Sequence, residues 1–149
     1  MEYIHKQKGI TLVVLIISVI VMAILVGVSI KMGTNALDKS KAEDIKSNML
    51  LIQGRSKIIK DKHIYDEENS SLVGIPKAEA TGYTISSELQ TKLNSVTDSQ
   101  LYILTQEDLN NNGLNNIKVN KTEFYIVDYN TCEIYYSLGI NGIYALSEM

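Results

Sequence analysis

This 149-residue sequence has one cysteine and no tryptophan. Cys132 is its single cysteine, so the chain cannot close a disulfide on itself. Cys132 could pair with another chain, but its place between two predicted strands favours a small apolar residue at a turn. Tryptophan is absent, and the aromatic residues are nine tyrosines and one phenylalanine. Because tyrosine combines an apolar ring with a hydroxyl, this composition suits half-buried positions in a sheet.

Residue patterns that carry catalysis are also missing. His5 lies near the start of the chain and His63 falls in a predicted loop, so neither a metal-binding pair nor a Ser-His-Asp triad is expected. Glycine-rich phosphate-binding motifs are absent. The net charge is −3, and no basic stripe indicates nucleic-acid binding. We therefore predict that the chain is not an enzyme and has no cofactor, no metal and no small-molecule substrate.

One segment imitates a calcium-binding loop. Asp108, Asn110, Asn112 and Gly113 match the first half of the EF-hand pattern, but the twelfth position is Val119, where that loop needs a bidentate glutamate. One carboxylate supplies too little charge to hold calcium well in that geometry. The segment is better interpreted as an asparagine-rich turn at a helix end.

Charge is absent between Ile10 and Ile30. This run consists of Ile, Leu, Val, Met and Ala, interrupted only by Thr11, Ser18, Gly27 and Ser29. A helix needs about 20 apolar residues to cross the hydrocarbon core of a bilayer, so 10–30 is predicted to be a transmembrane helix. The run is too long for a secretory signal peptide, and no small-x-small cleavage site follows it. An ordinary anchor and a segment cleaved just before the run, where Gly9 stands, both remain open.

Lys8-Gly9-Ile10-Thr11-Leu12, followed by the apolar run, resembles the prepilin leader of type IV pilins and type II secretion pseudopilins. The resemblance implies that residues 1–9 are a leader. It also implies that a membrane prepilin peptidase cuts after Gly9 and methylates Ile10 as the new N-terminus. The resemblance departs at Val14, where most pilins carry a glutamate that is thought to pair with the N-terminal amine of a neighbouring subunit. That departure leaves cleavage in place and suggests a minor filament subunit.

Residues 31–60 continue as an amphipathic helix. Apolar and small residues recur there at steps of three and four, which predicts a buried stripe of Ala42, Ile45, Met49, Ile52, Ser56 and Ile59, widened by Leu51 and Ile58. No proline separates this half from the apolar run. The simplest interpretation is one long helix from about Thr11 to Lys60, although a break between two helices remains an alternative.

Residues 61–149 are predicted to form a globular domain. After a polar loop over Asp61–Gly82, the pattern indicates a short helix at Ser86–Leu93, capped by Ser86. A strand at Leu101–Leu104 then precedes a Thr105-x-x-Asp108 capping box. The last part alternates with period two, which predicts strands Phe124–Tyr129, Glu133–Ser137 and Ile143–Leu146, in a meander of three or four strands.

The helix has an apolar stripe to cover and the sheet has an apolar face. We therefore predict an α+β fold in which a long N-terminal helix, transmembrane in its first half, packs on a small C-terminal antiparallel sheet. This arrangement resembles the pilin architecture. Together with the prepilin-like leader, the resemblance implies a subunit of a type IV pilus-like or pseudopilus filament, with the prepilin peptidase, other pilin subunits and membrane lipid as partners. The N-terminus would be cytoplasmic and the domain exported. The alternative is a single-pass anchored envelope protein whose domain binds a partner without polymerising.

Overall fold

The computed structural model describes the backbone of residues 2–96 and 100–149, and the side chains of 11–25, 39–96 and 100–149. The chain divides into two compact units, Met1–Lys41 and Ala42–Met149. Helix α1, Glu2–Tyr65, contributes to both units. It begins before the predicted Thr11 and ends after the predicted Lys60. The helix therefore includes Asp61–Tyr65, and the prediction of a loop over these residues was wrong.

The last turn of α1 contains Lys62 and His63. The charge of Lys62 stabilises the C-terminus of the helix, because the carbonyls there carry partial negative charge. His63 is thus helical, and its Nδ1 lies 2.8 Å from the backbone oxygen of Ser70. The chain then turns through the polar residues that follow, where the Asn69 side chain donates to both carboxylate oxygens of Asp66.

In the first unit, every side chain described between Thr11 and Leu25 is exposed. Within the described part of the chain, no helix combines the length and apolar character needed to span a membrane. Of the predicted transmembrane segment 10–30, Ile10 and residues 26–30 lie outside the residues whose side chains the structure describes.

The second unit contains a five-stranded antiparallel sheet, which confirms the α+β class. Its strands follow one another in chain order: β1 Ile75–Pro76, β2 Leu101–Ile103, β3 Tyr125–Asp128, β4 Glu133–Ile140 and β5 Ile143–Ala145. The prediction of three or four strands missed β1, because two residues show no alternation. Pro76 has no N–H for a ladder, which suits the edge position that β1 occupies. Strand β4 continues three residues beyond the predicted Ser137 and pairs Ile140 with Ile143 across the predicted Asn141-Gly142 turn.

One face of the sheet packs against α1. The predicted stripe is confirmed at its centre, since Ile45, Met49, Ile52 and Ser56 are buried. The apolar side chains of this stripe share a core with Tyr125, Val127, Tyr129, Ile134 and Tyr136 of the sheet region. The widening of the stripe was wrong, because Leu51 and Ile58 are exposed on the other side of the helix.

The opposite face of the sheet is covered as well. Helix α2, Ser87–Leu93, places Leu89 and Leu93 against Phe124 and Ile126. Strand β3 is therefore buried on both faces, with no exposed position along its length. The predicted cap of α2 is confirmed, because Ser86 Oγ accepts a hydrogen bond from the Leu89 N–H at 3.2 Å.

Helix α3, Gln106–Asn111, starts at the predicted capping box. Thr105 Oγ1 accepts from the Asp108 N–H at 3.2 Å, and Asp108 Oδ2 accepts from the Thr105 N–H at 2.8 Å. The two bonds satisfy two N–H groups that the first turn of a helix leaves unpaired. Gly113 follows with φ of 76°, a left-handed conformation that glycine adopts without steric cost.

Candidate functional site: the exposed apolar segment and the surface of the domain

The segment 11–25 of α1 carries the strongest functional signal in the chain. Its large apolar side chains are exposed in every direction around the helix, from 48% for Val21 to 67% for Met22. A helix that is apolar all round requires burial in lipid or against other protein. The Ser18 hydroxyl in this segment forms a hydrogen bond within the helix, since Oγ donates to the backbone oxygen of Val14 at 2.8 Å.

The residues predicted for cleavage and methylation, Gly9 and Ile10, lie in α1, but their side chains are outside the described residues. Val14 is described and is 56% exposed. It therefore presents an apolar surface. None of the residues in the described part of this segment, 11–25, is charged.

Three hydrogen bonds from α1 side chains to backbone oxygens of the sheet region were not anticipated from the sequence. Lys60 Nζ donates to the Asn130 oxygen at 2.7 Å, Gln53 Nε2 donates to the Cys132 oxygen at 3.1 Å, and Lys46 Nζ donates to the Met149 oxygen at 3.2 Å. The first two hold the turn between β3 and β4, and the third holds the last residue in the sequence. Each joins residues far apart in the chain, so local pattern carries no signal for it.

Cys132 is buried at 4% exposure in the turn between β3 and β4. Its φ of 56° places it in the left-handed region, which is uncommon for residues other than glycine. The prediction of a small apolar residue at a turn is confirmed. The buried sulfur is poorly placed for a bond to another chain.

The calcium-like segment is folded as α3 and its C-terminal turn. The carboxylate of Asp108 is engaged by Thr105, whose Oγ1 and N–H both donate to Oδ2 at 2.8 Å. Asn112 Nδ2 donates to the Asp108 backbone oxygen at 2.7 Å. These side chains therefore hold the helix ends. No group of three or more potential metal-ligating side chains occurs among the residues that the structure describes.

A cavity between α1 and α3 is lined by Ile52, Ser56, Leu109 and Tyr129, and has a volume of about 10 Å³. Such a volume holds about one water molecule. Ser56 Oγ donates to the Ile52 oxygen at 2.7 Å and is not left to bind a ligand. The cavity is too small for an organic substrate.

Tyr129 and Tyr136 have raised pKa values, which favour their neutral form. Burial raises the pKa of Tyr129 far above its usual value, although its hydroxyl donates to the Val73 oxygen at 2.7 Å and that bond opposes the shift. Burial also raises the pKa of Tyr136, and Glu123 adds to the rise, since its Oε1 accepts a hydrogen bond from the Tyr136 hydroxyl at 2.8 Å. A neutral phenol deep in the core serves packing and hydrogen bonding rather than acid–base chemistry.

Neither a scan against protein-family models, nor a search of curated proteins, nor a search of solved structures finds a match to this chain.

Proposed function

We propose that the chain is a structural subunit of a type IV pilus-like or pseudopilus filament. In this proposal prepilin peptidase cuts after Gly9 and methylates Ile10. The new subunit is stored in the membrane through the apolar run, with its domain exported. The observation that carries the proposal is a helix exposing only apolar and small polar side chains over 11–25, directly after a prepilin-like leader.

Filament assembly would transfer this segment from lipid to the equivalent segments of other subunits. Burial of apolar surface from water is worth about 25 cal/mol per Å², but a lipid tail is as apolar as leucine, so that gain shrinks in a bilayer. Close packing must then supply much of the free energy. Ala23 and Ser18, both small, allow helices to approach at two positions of the described segment.

The second unit supports the same proposal. An amphipathic helix covering one face of an antiparallel sheet gives a filament subunit a rigid domain to display. Val14 favours a minor subunit, because the position lacks the carboxylate that would meet a neighbour's N-terminal amine.

A second candidate function is a single-pass anchored envelope protein with a binding domain that does not polymerise. Val14 is also the observation that favours this candidate, since the inter-subunit pair typical of pilins cannot form there. The two candidates differ at the N-terminus. A filament subunit should lose its leader, whereas a simple anchored protein should keep it.

The test is the N-terminal residue of protein purified from native membranes. Mass spectrometry should find methylated Ile10 on the wild-type chain. Gly9→Val should leave the leader attached, because a branched side chain at the scissile bond obstructs the peptidase. Gly33→Val is the matched control and should be cleaved normally. An unprocessed Met1 on the wild-type protein would contradict the proposal.

A further inference from the structure

Two Asn-Gly pairs occur in the sequence, Asn112-Gly113 and Asn141-Gly142. In such a pair the backbone nitrogen of the glycine can approach the side-chain carbonyl of the asparagine, because glycine has no Cβ to obstruct it. Both pairs lie in turns, and a Cβ built on either glycine would meet no atom within 4 Å. The two glycines are therefore equally open, and the pairs differ in their hydrogen bonds.

The reacting groups of Asn112-Gly113 are engaged. Asn112 Nδ2 donates to the Asp108 backbone oxygen at 2.7 Å. The Gly113 N–H donates to the Asn110 oxygen at 3.3 Å. The backbone N–H of Asn112 is also shared between the Asp108 and Leu109 oxygens, at 3.2 Å from each, at the end of α3. These bonds must break before the Gly113 nitrogen can attack the Asn112 side chain.

The reacting groups of Asn141-Gly142 are free. Among the residues that the structure describes, neither the Asn141 side-chain amide nor the Gly142 N–H has a hydrogen-bond partner. Asn141 is exposed, and its φ of 52° lies in the left-handed region, which asparagine adopts more readily than most residues. No hydrogen bond therefore holds this amide away from reaction.

The loop that contains Asn141-Gly142 is placed where it can open. It joins β4 to β5, and β5 is three residues long and lies at the edge of the sheet. Attack requires Asn141 to leave its left-handed conformation, so that the Gly142 nitrogen can approach the side-chain carbon. Ile140 and Ile143, which pair across the loop, are only half-buried. The end of the hairpin can thus open without exposing the core, as weakly packed elements do most often.

We propose that Asn141 is a site of spontaneous deamidation in the folded protein, and that Asn112 is protected from the same reaction. The Gly142 nitrogen loses its proton to water and forms a bond to Asn141 Cγ. The bond from Cγ to Nδ2 breaks, and ammonia leaves with a proton from water. Water then opens the resulting five-membered succinimide at one of its two carbonyls. The products are aspartate or isoaspartate at position 141, and the net reaction consumes one water and releases one ammonia.

Deamidation at position 141 changes the edge of the sheet. Either product adds a negative charge to a chain whose net charge is already −3. Isoaspartate also adds a methylene group to the backbone of the loop, and loop length fixes the register of a hairpin. Tyr144 of β5 lies in the core, and its hydroxyl donates to Glu88 Oε2 of α2 at 3.0 Å. We therefore expect isoaspartate to weaken the packing of β5.

The test incubates the full chain in detergent micelles at neutral pH and, in parallel, in concentrated urea. Tandem mass spectrometry of peptides follows deamidation of Asn112 and Asn141 in the same sample, and an unincubated sample corrects for reaction during digestion. In the folded protein Asn141 should react about tenfold faster than Asn112, because hydrogen bonds hold only the Asn112 pair. In urea the two rates should agree within about twofold, because neither pair keeps its native bonds there.

Asn141→Gly is the matched variant, because glycine suits the same turn and lacks the reacting carbonyl. After incubation, hydrogen exchange at the β5 amides should be faster in the wild-type protein that carries isoaspartate than in this variant, and equal exchange would reject the effect on β5. Folded-state rates that are equal at the two asparagines, or lower at Asn141, would overturn the proposal, as would reaction at Asn141 in urea alone. None of these results depends on leader cleavage, so they test this proposal separately from the proposed function.

Discussion

Tyr129 and Tyr136 make the stability of this fold depend on pH. Both rings are almost fully buried, and each hydroxyl has one acceptor, Val73 O or Glu123 Oε1. Burial is the larger cause of the raised pKa at both positions. The ordinary pKa of 10.0 applies in the unfolded chain, so the unfolded state loses these protons first as the pH rises. The stability that these two tyrosines contribute is therefore fully present below pH 10 and decreases as the pH rises above 10.

We predict that Tyr129→Phe makes this alkaline loss of stability shallower. The variant lacks one proton that the unfolded chain releases, which is worth up to about 1.4 kcal/mol per pH unit above the ordinary value. At neutral pH the same change costs about 1 kcal/mol, because the bond to Val73 is lost. Urea unfolding followed by far-UV circular dichroism, at a series of pH values on either side of 10, measures both effects. Tyr65→Phe is the control, since Tyr65 is 94% exposed; parallel slopes for Tyr129→Phe and the parent would contradict the prediction.

Residues whose role depends on near neighbours were predictable. The Ser86 cap and the Thr105–Asp108 box each join atoms three residues apart, so the sequence displays both partners together. The bond from Tyr129 to Val73 joins residues 56 apart. No local rule connects those two residues before the sheet and the loop that precedes it are placed in space.

At the scale of elements, two neighbouring residues of α1 lie on different faces of the helix, one packed against the sheet and one exposed. Ile52 is 1% exposed and Leu51 is 49% exposed. We predict that Ile52→Ala lowers the free energy of unfolding by about 2–5 kcal/mol, because it leaves a cavity against the sheet. Leu51→Ala should change it by no more than about 0.5 kcal/mol. Thermal and urea unfolding of the two variants give the comparison, and equal losses would show that the two helix faces are not distinct.

Periodicity located the elements but not all their limits or faces. The centre of the α1 stripe follows from steps of three and four, whereas Leu51 and Ile58 were added to it because they are apolar. Their exposure shows that hydrophobicity alone does not assign a helix face. Strand β1 was missed because its two residues, Ile75 and Pro76, acquire strand character only by pairing with Ile103 and Tyr102 of β2.

At the scale of the whole molecule, the predicted fold class is supported by the structure, whereas the predicted cleavage site is supported only by resemblance. The α+β class follows from two periodicities, and the structure confirms it. Cleavage at Gly9 and methylation of Ile10 rest on resemblance and stay predictions. The exposure of Leu51 and Ile58 could not be predicted, because it requires knowing which side of α1 the sheet covers. Among the residues described, the apolar surface exposed at 11–25 is the one to which the proposed function assigns a partner.

The final prediction concerns the independence of the second unit. Both hydrophobic clusters consist of residues between Ile45 and Met149, all within that unit. A fragment covering 42–149 therefore keeps every described core contact and should fold without the apolar run. We expect its urea unfolding to be cooperative, with the free energy of unfolding lowered by Ile52→Ala by the same amount as in the full chain, since the cavity formed is the same. A fragment that lacks dispersed amide resonances in its NMR spectrum would show instead that the domain requires residues before Ala42.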